Sequence, residues 1–154
     1  MKKILITTGG SGGHVTPALS LYDSLKDDFE VHIVTDVRGS KYINSSYNFS
    51  LIDVPNILSN LFLIPYNLTK FFFSIFKSYR YLKINNFNIL ISTGGYMSIP
   101  LSLASYLMKI KIFVFEPNSI LGRANKLTLS FVKKIICYDK NLKKIPEKHL
   151  KKIY

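Results

Sequence analysis

Short apolar runs alternate with longer amphipathic stretches along this 154-residue chain. Runs rich in Ile, Val and Leu occupy residues 3–8, 30–35, 49–54, 88–92, 111–115 and 134–138. They lack a clean apolar–polar alternation, so they read as strands covered on both faces. Between them, apolar positions return every three or four residues over 16–26, 66–83, 98–108 and 121–131, which predicts helices. A shorter helix is expected over 40–47. Strand and helix in turn are the rhythm of an α/β fold built on a doubly wound parallel sheet. Ligands of such sheets sit beyond the carboxyl ends of the strands. Three unusual loops fall there: residues 9–14 after the first strand, 93–96 after the fourth and 116–118 after the fifth. No internal repeat or low-complexity segment interrupts the pattern.

The helix over 66–83 carries two faces. Leu68, Phe71, Phe72, Ile75, Phe76, Tyr79 and Leu82 share a helical stripe and are expected to face the sheet as core. Phe73 lies off that stripe, with Lys70, Lys77 and Arg80 on its own face. Just upstream, residues 61–66 are apolar and include Phe62. Aromatics ringed by lysine and arginine suit the headgroup boundary of an anionic bilayer, which makes Phe62, Lys70, Phe73, Lys77 and Arg80 a candidate membrane contact. The other reading is that Phe62 and Phe73 pack on a neighbouring domain. Asn60, Pro65, Asn67 and Lys70 interrupt the run and argue against a spanning helix.

Composition adjusts this picture little. Apolar residues make up 47% and charged residues 19%, which excludes a disordered chain and is enough for one domain with a real core. The formal charge is +12, favouring anionic partners such as headgroups, phosphorylated substrates or nucleic acid. Joint enrichment in Lys, Asn, Ile, Phe and Tyr also fits a coding bias, which tempers the charge argument. The basic tail over 140–152 has little aromatic content, so no nucleic-acid partner is expected. A single cysteine, Cys137, excludes an intrachain disulfide and suits a reducing compartment; its apolar run suggests a small buried core residue. The N-terminus enters a strand at once, without the shape of a signal peptide.

The first unusual loop carries most of the chemistry. Gly9-Gly10-Ser11-Gly12-Gly13-His14 sets four glycines in five positions before a histidine. Bare backbone N–H groups at a helix start attract phosphate, and a histidine beside them can move protons near neutral pH. A Walker loop needs Gly-Lys-Ser/Thr, and no lysine follows Gly13. The dinucleotide fingerprint needs a glycine where Val15 stands. A plain tight turn remains the simpler alternative.

Three segments in order resemble one family. They are Gly9-Gly10-Ser11-Gly12-Gly13-His14-Val15-Thr16-Pro17-Ala18, then Thr93-Gly94-Gly95-Tyr96-Met97-Ser98-Ile99-Pro100, then Glu116-Pro117-Asn118 through Lys126. The chain is similar to the N-terminal half of the MurG N-acetylglucosaminyltransferases, which convert lipid I to lipid II in peptidoglycan synthesis. That resemblance implies a Rossmann-like domain, the acceptor-binding half of a GT-B glycosyltransferase. It implies an inverting displacement: the acceptor 4-hydroxyl attacks the anomeric carbon of UDP-N-acetylglucosamine, and UDP leaves. His14 is the candidate base, with pure phosphate binding as its other role. Gly10, Ser11, Gly12 and Gly13 are expected to cradle the lipid diphosphate through their amides. Gly94, Gly95 and Tyr96 form a second wall, and Asn118 orients the attacking sugar. Glu116 reads either as an acceptor-site carboxylate or as a salt-bridge partner of Arg123 or Lys126.

Members of that family often carry His-Glu-Gln-Asn where this chain has Phe115-Glu116-Pro117-Asn118, which concentrates the proton-transfer role on His14. No Asp-x-Asp motif occurs, so neither metal nor other cofactor is expected. The resemblance further implies a lipid-linked sugar acceptor, an anionic membrane surface, and a peripheral location on the cytoplasmic face of the inner membrane. The sequence stops at Tyr154, about where such a first domain gives way to the second. The expectation is therefore one domain over 1–154, with the UDP-N-acetylglucosamine site on a missing C-terminal domain or a partner chain. The alternative is a non-catalytic membrane-recruiting subunit of a split enzyme.

Overall fold

The computed structural model of the chain describes residues 1–52, 54, 64–139 and 141–154. Six strands form one sheet: β1 (Lys3–Thr7), β2 (Glu30–Thr35), β3 (Phe49–Leu51), β4 (Ile89–Ser92), β5 (Lys111–Glu116) and β6 (Lys134–Cys137). Their order is β3-β2-β1-β4-β5-β6 and every pairing is parallel. The chain winds outward from β1 to β3, then crosses back to β4 and winds the other way. The direction reverses between β1 and β4, and the loops leaving those neighbours part there to open a crevice. This is a Rossmann-like α/β fold, as the sequence predicts.

Alternation along the strands divides the core. Leu5, Leu90, Ile112, Val114 and Ile135 join one buried cluster with Leu82, Met97, Leu101 and Ala104 from the helices. Ile4, Ile6, Ile33, Ile91 and Phe115 turn to the other face and pack with Val15 and Ala18. Helix α1 (Gly12–Leu25) covers that second face. It begins four residues earlier than its apolar pattern suggests, because glycine hides helical character, and the Ser11 carbonyl already accepts from the amides of His14 and Val15. His14 therefore sits in the first turn of a helix rather than in a loop.

The short helix expected over 40–47 is displaced. Asp36 caps α2 (Val37–Ser40) by accepting from the Gly39 amide, so the helix starts earlier and ends at once. Turns follow, with the Asn44 side chain accepting from the Ser46 amide. Strand β3 stops at Leu51 rather than reaching 54. Cys137 is half-buried, not fully enclosed.

Helix α3 (Ile64–Asn85) overturns a larger expectation. Of the seven residues read as its core stripe, only Leu82 is fully buried; Phe71 and Ile75 are half-buried, while Leu68, Phe72, Phe76 and Tyr79 are exposed. Its buried side instead carries Asn67, Ser74, Ser78 and Leu82. The reason is the neighbour it meets. Helix α3 packs chiefly on α4 (Ser98–Leu107), whose own buried residues include Ser98, Ser102, Ala104 and Ser105. Small side chains let two helices approach closely, and bulky aromatics are turned outward. Overpacking should expose this: Ser78→Leu is expected to lower stability by about 1–3 kcal/mol. Phe76→Ser should change it by less than about 1 kcal/mol, read by urea denaturation of both variants.

Candidate functional site

The two glycine turns meet backbone to backbone at the crevice. A Cβ on Gly95 would overlap the Gly9 carbonyl, and Gly95 has φ of +87°. A Cβ on Gly9 would lie 2.5 Å from the Met97 side chain. Gly94, with φ of +106°, leaves room for the His14 ring, which would stand 2.8 Å from a Cβ there. Close approach thus requires glycine at all three positions, and conformation requires it as well at Gly94 and Gly95.

His14 is fixed by Thr93 through two bonds. Its Nδ1 lies 3.0 Å from the Thr93 carbonyl, and the Thr93 hydroxyl donates to the His14 carbonyl at 2.9 Å. A carbonyl oxygen only accepts, so Nδ1 carries the proton and Nε2 of the neutral ring keeps its lone pair. The ring lines a cleft of 280 Å³ together with Gly94, Gly95, Tyr96, Gly122, Arg123, Ala124 and Asn125. The structure thus brings His14, Gly94, Gly95 and Tyr96 into one cavity.

The first turn is only partly available to a ligand. The Gly10 amide, expected to face phosphate, donates to Asp36 Oδ1 at 3.0 Å. The amides of Ser11, Gly12 and Gly13 make no hydrogen bond within the described residues. Their position at the start of the 14-residue α1 suits an anion.

Neither Glu116 nor Asn118 lines the cleft: Glu116 is buried behind it and Asn118 is exposed outside it. Glu116 is 1% exposed, ending β5. Its Oε2 accepts from the Gly122 amide at 2.9 Å and Asn125 Nδ2 at 3.1 Å, and its Oε1 accepts from Asn118 Nδ2 at 3.0 Å. Neither Arg123 nor Lys126 pairs with it, so the salt-bridge reading of this carboxylate is not met. Ser92 extends the network: its hydroxyl donates to Asn125 Oδ1 at 2.9 Å and accepts from the Gly94 amide at 3.2 Å. The carboxylate therefore braces the loop before α5 (Arg123–Thr128), and Asn125 ties that loop to the second glycine turn.

Sequence reasoning missed Asn125, Ser92 and Thr93 as site-building residues. Asn125 and Thr93 stood inside recognised motifs, but their side-chain bonds span loops far apart in sequence. Cys137 takes no part here: burial first, then the carboxylates of Asp139 and Glu116, push its thiol up and away from the reactive thiolate.

The aromatic helix α3 reaches this site through one ring. Phe71 stands 6.3 Å from Tyr96, centroid to centroid. Beyond it, Phe72, Phe73 and Phe76 are 66%, 58% and 56% exposed. Phe73 stacks near Phe76, Lys77 Nζ lies 5.0 Å above the Phe73 ring, and Lys70 Nζ lies 4.4 Å above Tyr66. Lys70, Phe73, Lys77 and Arg80 of the candidate membrane set are all exposed, whereas Phe62 lies outside the described residues. Among the described residues, no helix is long and apolar enough to cross a membrane.

Comparison with known proteins gives the family and the fold. The family model of the glycosyltransferase family 28 N-terminal domain matches residues 4–137. A UDP-N-acetylglucosamine–N-acetylmuramyl-(pentapeptide) pyrophosphoryl-undecaprenol N-acetylglucosamine transferase of Pelagibacter ubique is 49% identical over 153 residues. That alignment covers 99% of this chain and 43% of the relative. The protein of the same name from Rickettsia felis is 37% identical over 150 residues, covering 96% of this chain and 41% of its own length. The chain thus spans less than half the length of either relative. A crystal structure of Acinetobacter baumannii MurG matches with a TM-score of 0.78 at 23% identity, over 92% of this chain and 43% of that one, which speaks for the shared fold.

The glycine contacts make a sharp contrast testable. Gly95→Ala should cost about 2 kcal/mol or more, since strain and overlap add. Gly13→Ala meets only the Ser11 hydroxyl at 3.7 Å and should leave stability unchanged within about 1 kcal/mol. Thermal melts of the two variants check the difference.

Proposed function

We infer that this chain, which belongs to the glycosyltransferase family 28 N-terminal domains, binds a lipid-linked sugar diphosphate at its paired glycine turns. The acceptor in this reading is undecaprenyl-diphosphate-N-acetylmuramyl-pentapeptide, as the names of its relatives suggest. The observation that carries the reading is the shared cavity of His14, Gly94, Gly95 and Tyr96 beside unpartnered amides. Ser11, Gly12 and Gly13 receive the diphosphate there. Gly10 contributes shape rather than a donor, because Asp36 already holds its amide.

In the reaction we propose, the acceptor 4-hydroxyl oxygen forms a bond to the anomeric carbon of UDP-N-acetylglucosamine. The bond from that carbon to the UDP oxygen breaks, and UDP leaves with the electron pair. The hydroxyl proton passes to His14 Nε2, the nitrogen left basic by the bond from Nδ1 to Thr93. Tyr96 flanks the sugar from the cleft wall, while Glu116 holds Asn118 and the α5 loop in place outside it. The donor is supplied by a C-terminal domain or a partner chain.

Helix α3 places the lipid tail. Its exposed phenylalanines enter the interface while Lys70, Lys77 and Arg80 meet anionic headgroups. The protein is then peripheral on the cytoplasmic face of the inner membrane. The contact between Phe71, on the inner side of α3, and Tyr96 ties this helix to the second glycine turn, which supports a ligand that reaches from the turns toward the helix.

Two measurements test this. With the chain fused to the remaining part of the Pelagibacter ubique relative, His14→Ala should lower kcat about 100-fold or more, as loss of a general base does, while acceptor affinity changes less than about fivefold. A larger loss of affinity than of turnover would make His14 a phosphate binder. The chain should also bind anionic liposomes in a salt-sensitive manner, and Phe73→Asp with Lys77→Glu should weaken partitioning about tenfold or more, read by co-sedimentation. Equal partitioning of wild type and variant would remove the membrane contact.

A further inference from the structure

The segment from Asp36 to Tyr42 flanks the first glycine turn, although nothing in the loop motif points to it. Asp36 is 5% exposed and accepts four hydrogen bonds. Its Oδ1 takes the amides of Gly10 at 3.0 Å and Gly39 at 2.8 Å; its Oδ2 takes Arg38 Nε at 3.1 Å and Nη2 at 2.9 Å. Burial alone would raise the carboxyl, but those two amides and the guanidinium hold it below the ordinary carboxylate range. Asp36 is therefore an anion at neutral pH, and it fixes both the turn and the arginine.

The arginine is fixed in a particular way. Asp36 engages the edge formed by Nε and Nη2, which leaves the end formed by Nη1 and Nη2 as a free two-donor fork. The Arg38 side chain is 63% exposed, and Nη2 lies 3.8 Å from where a Cβ on Gly10 would stand. The guanidinium thus rests on the lip of the turn whose next three amides have no partner among the described residues. The ring of Tyr42 closes the same turn at Gly12, 3.3 Å from a Cβ placed there.

We propose that Arg38 binds a phosphate of the ligand on the first glycine turn through its free Nη1/Nη2 fork, with Asp36 as the residue that positions it. This rests on the reading that a diphosphate occupies that turn. A diphosphate carries more negative charge than three neutral amides can offset, and a buried carboxylate beside it would repel it. Arg38 neutralises the carboxylate and turns its remaining donors to the ligand. Preset by two bonds, the fork loses little side-chain freedom on binding.

The test uses inorganic pyrophosphate and farnesyl diphosphate as probes, with calorimetry for affinity and amide NMR for location. Wild-type protein should shift the amides of Ser11, Gly12 and Gly13 with either probe. Arg38→Gln should weaken both probes about 10- to 100-fold, the range for charge-assisted hydrogen bonds, and Arg38→Lys should recover part of the loss. The double variant Asp36→Asn, Arg38→Gln separates contact from neutralisation: it should regain only the part of the loss due to the bare carboxylate and stay about fivefold or more weaker than wild type. Thermal melts confirm that each variant is folded. Binding within twofold of wild type by Arg38→Gln, or by the double variant, would overturn the role of Arg38 while leaving the diphosphate reading intact. Probe binding that leaves the three amides unshifted, or no binding at all, would overturn both.

Discussion

Everything at the carboxyl edge of the sheet depends on how closely two backbones approach. Gly95 lies against Gly9 with no space for a side chain on it, and Gly94 yields its space to an imidazole. Strands β1 and β4 are neighbours, so their loops must either collide or interlock. Here they interlock, because the residues concerned lack Cβ atoms and two of them take a left-handed φ. A bulkier pair would push the loops apart and separate His14 from the Thr93 carbonyl that sets its tautomer. The topology thus creates the crevice, and the glycines decide that it holds an imidazole fixed by Thr93.

A second layer holds that contact in place. The Gly94 amide reaches Ser92, Ser92 reaches Asn125, and Asn125 and Gly122 reach Glu116. On the other side the Gly10 amide reaches Asp36. Both carboxylates are almost fully buried and satisfied largely by amide donors. Such groups are costly to bury unless fully bonded, which makes their geometry stiff. The two acids therefore serve as anchors for the walls of a site whose proposed ligand is itself an anion. The guanidinium of Arg38 makes this arrangement compatible with an anionic ligand on the side of Asp36.

The strand pattern and the two glycine turns were legible in the sequence because both are local signals. Apolar runs bounded by turns mark strands, and four glycines beside a histidine mark a loop built for close approach. What escaped was set by distant partners. Asn125 bonds Ser92 across 33 positions, His14 bonds Thr93 across 79, and Gly10 bonds Asp36 across 26. No spacing rule connects such pairs. The error on α3 has a different origin. Apolar periodicity identifies an amphipathic helix but not what covers its apolar side. When α4 offers serine and alanine, the helix buries Ser74 and Ser78 and leaves Phe72, Phe73 and Phe76 outside.

That inversion bears on the membrane argument more than the net charge does. A basic chain can be basic through coding bias, but three adjacent exposed phenylalanines incur a hydration cost that stability alone does not explain. They are also not scattered. Phe73 and Phe76 stack, Lys77 covers one ring of that pair, and Phe71 carries the same helix to Tyr96 at the mouth of the cleft. An apolar face rimmed by cations, on a helix whose inner side reaches the cleft, suits the parts of the proposed ligand: a hydrocarbon chain, then a diphosphate, then a sugar. The packing of α3 on the small residues of α4, rather than its composition, is what leaves those rings outside.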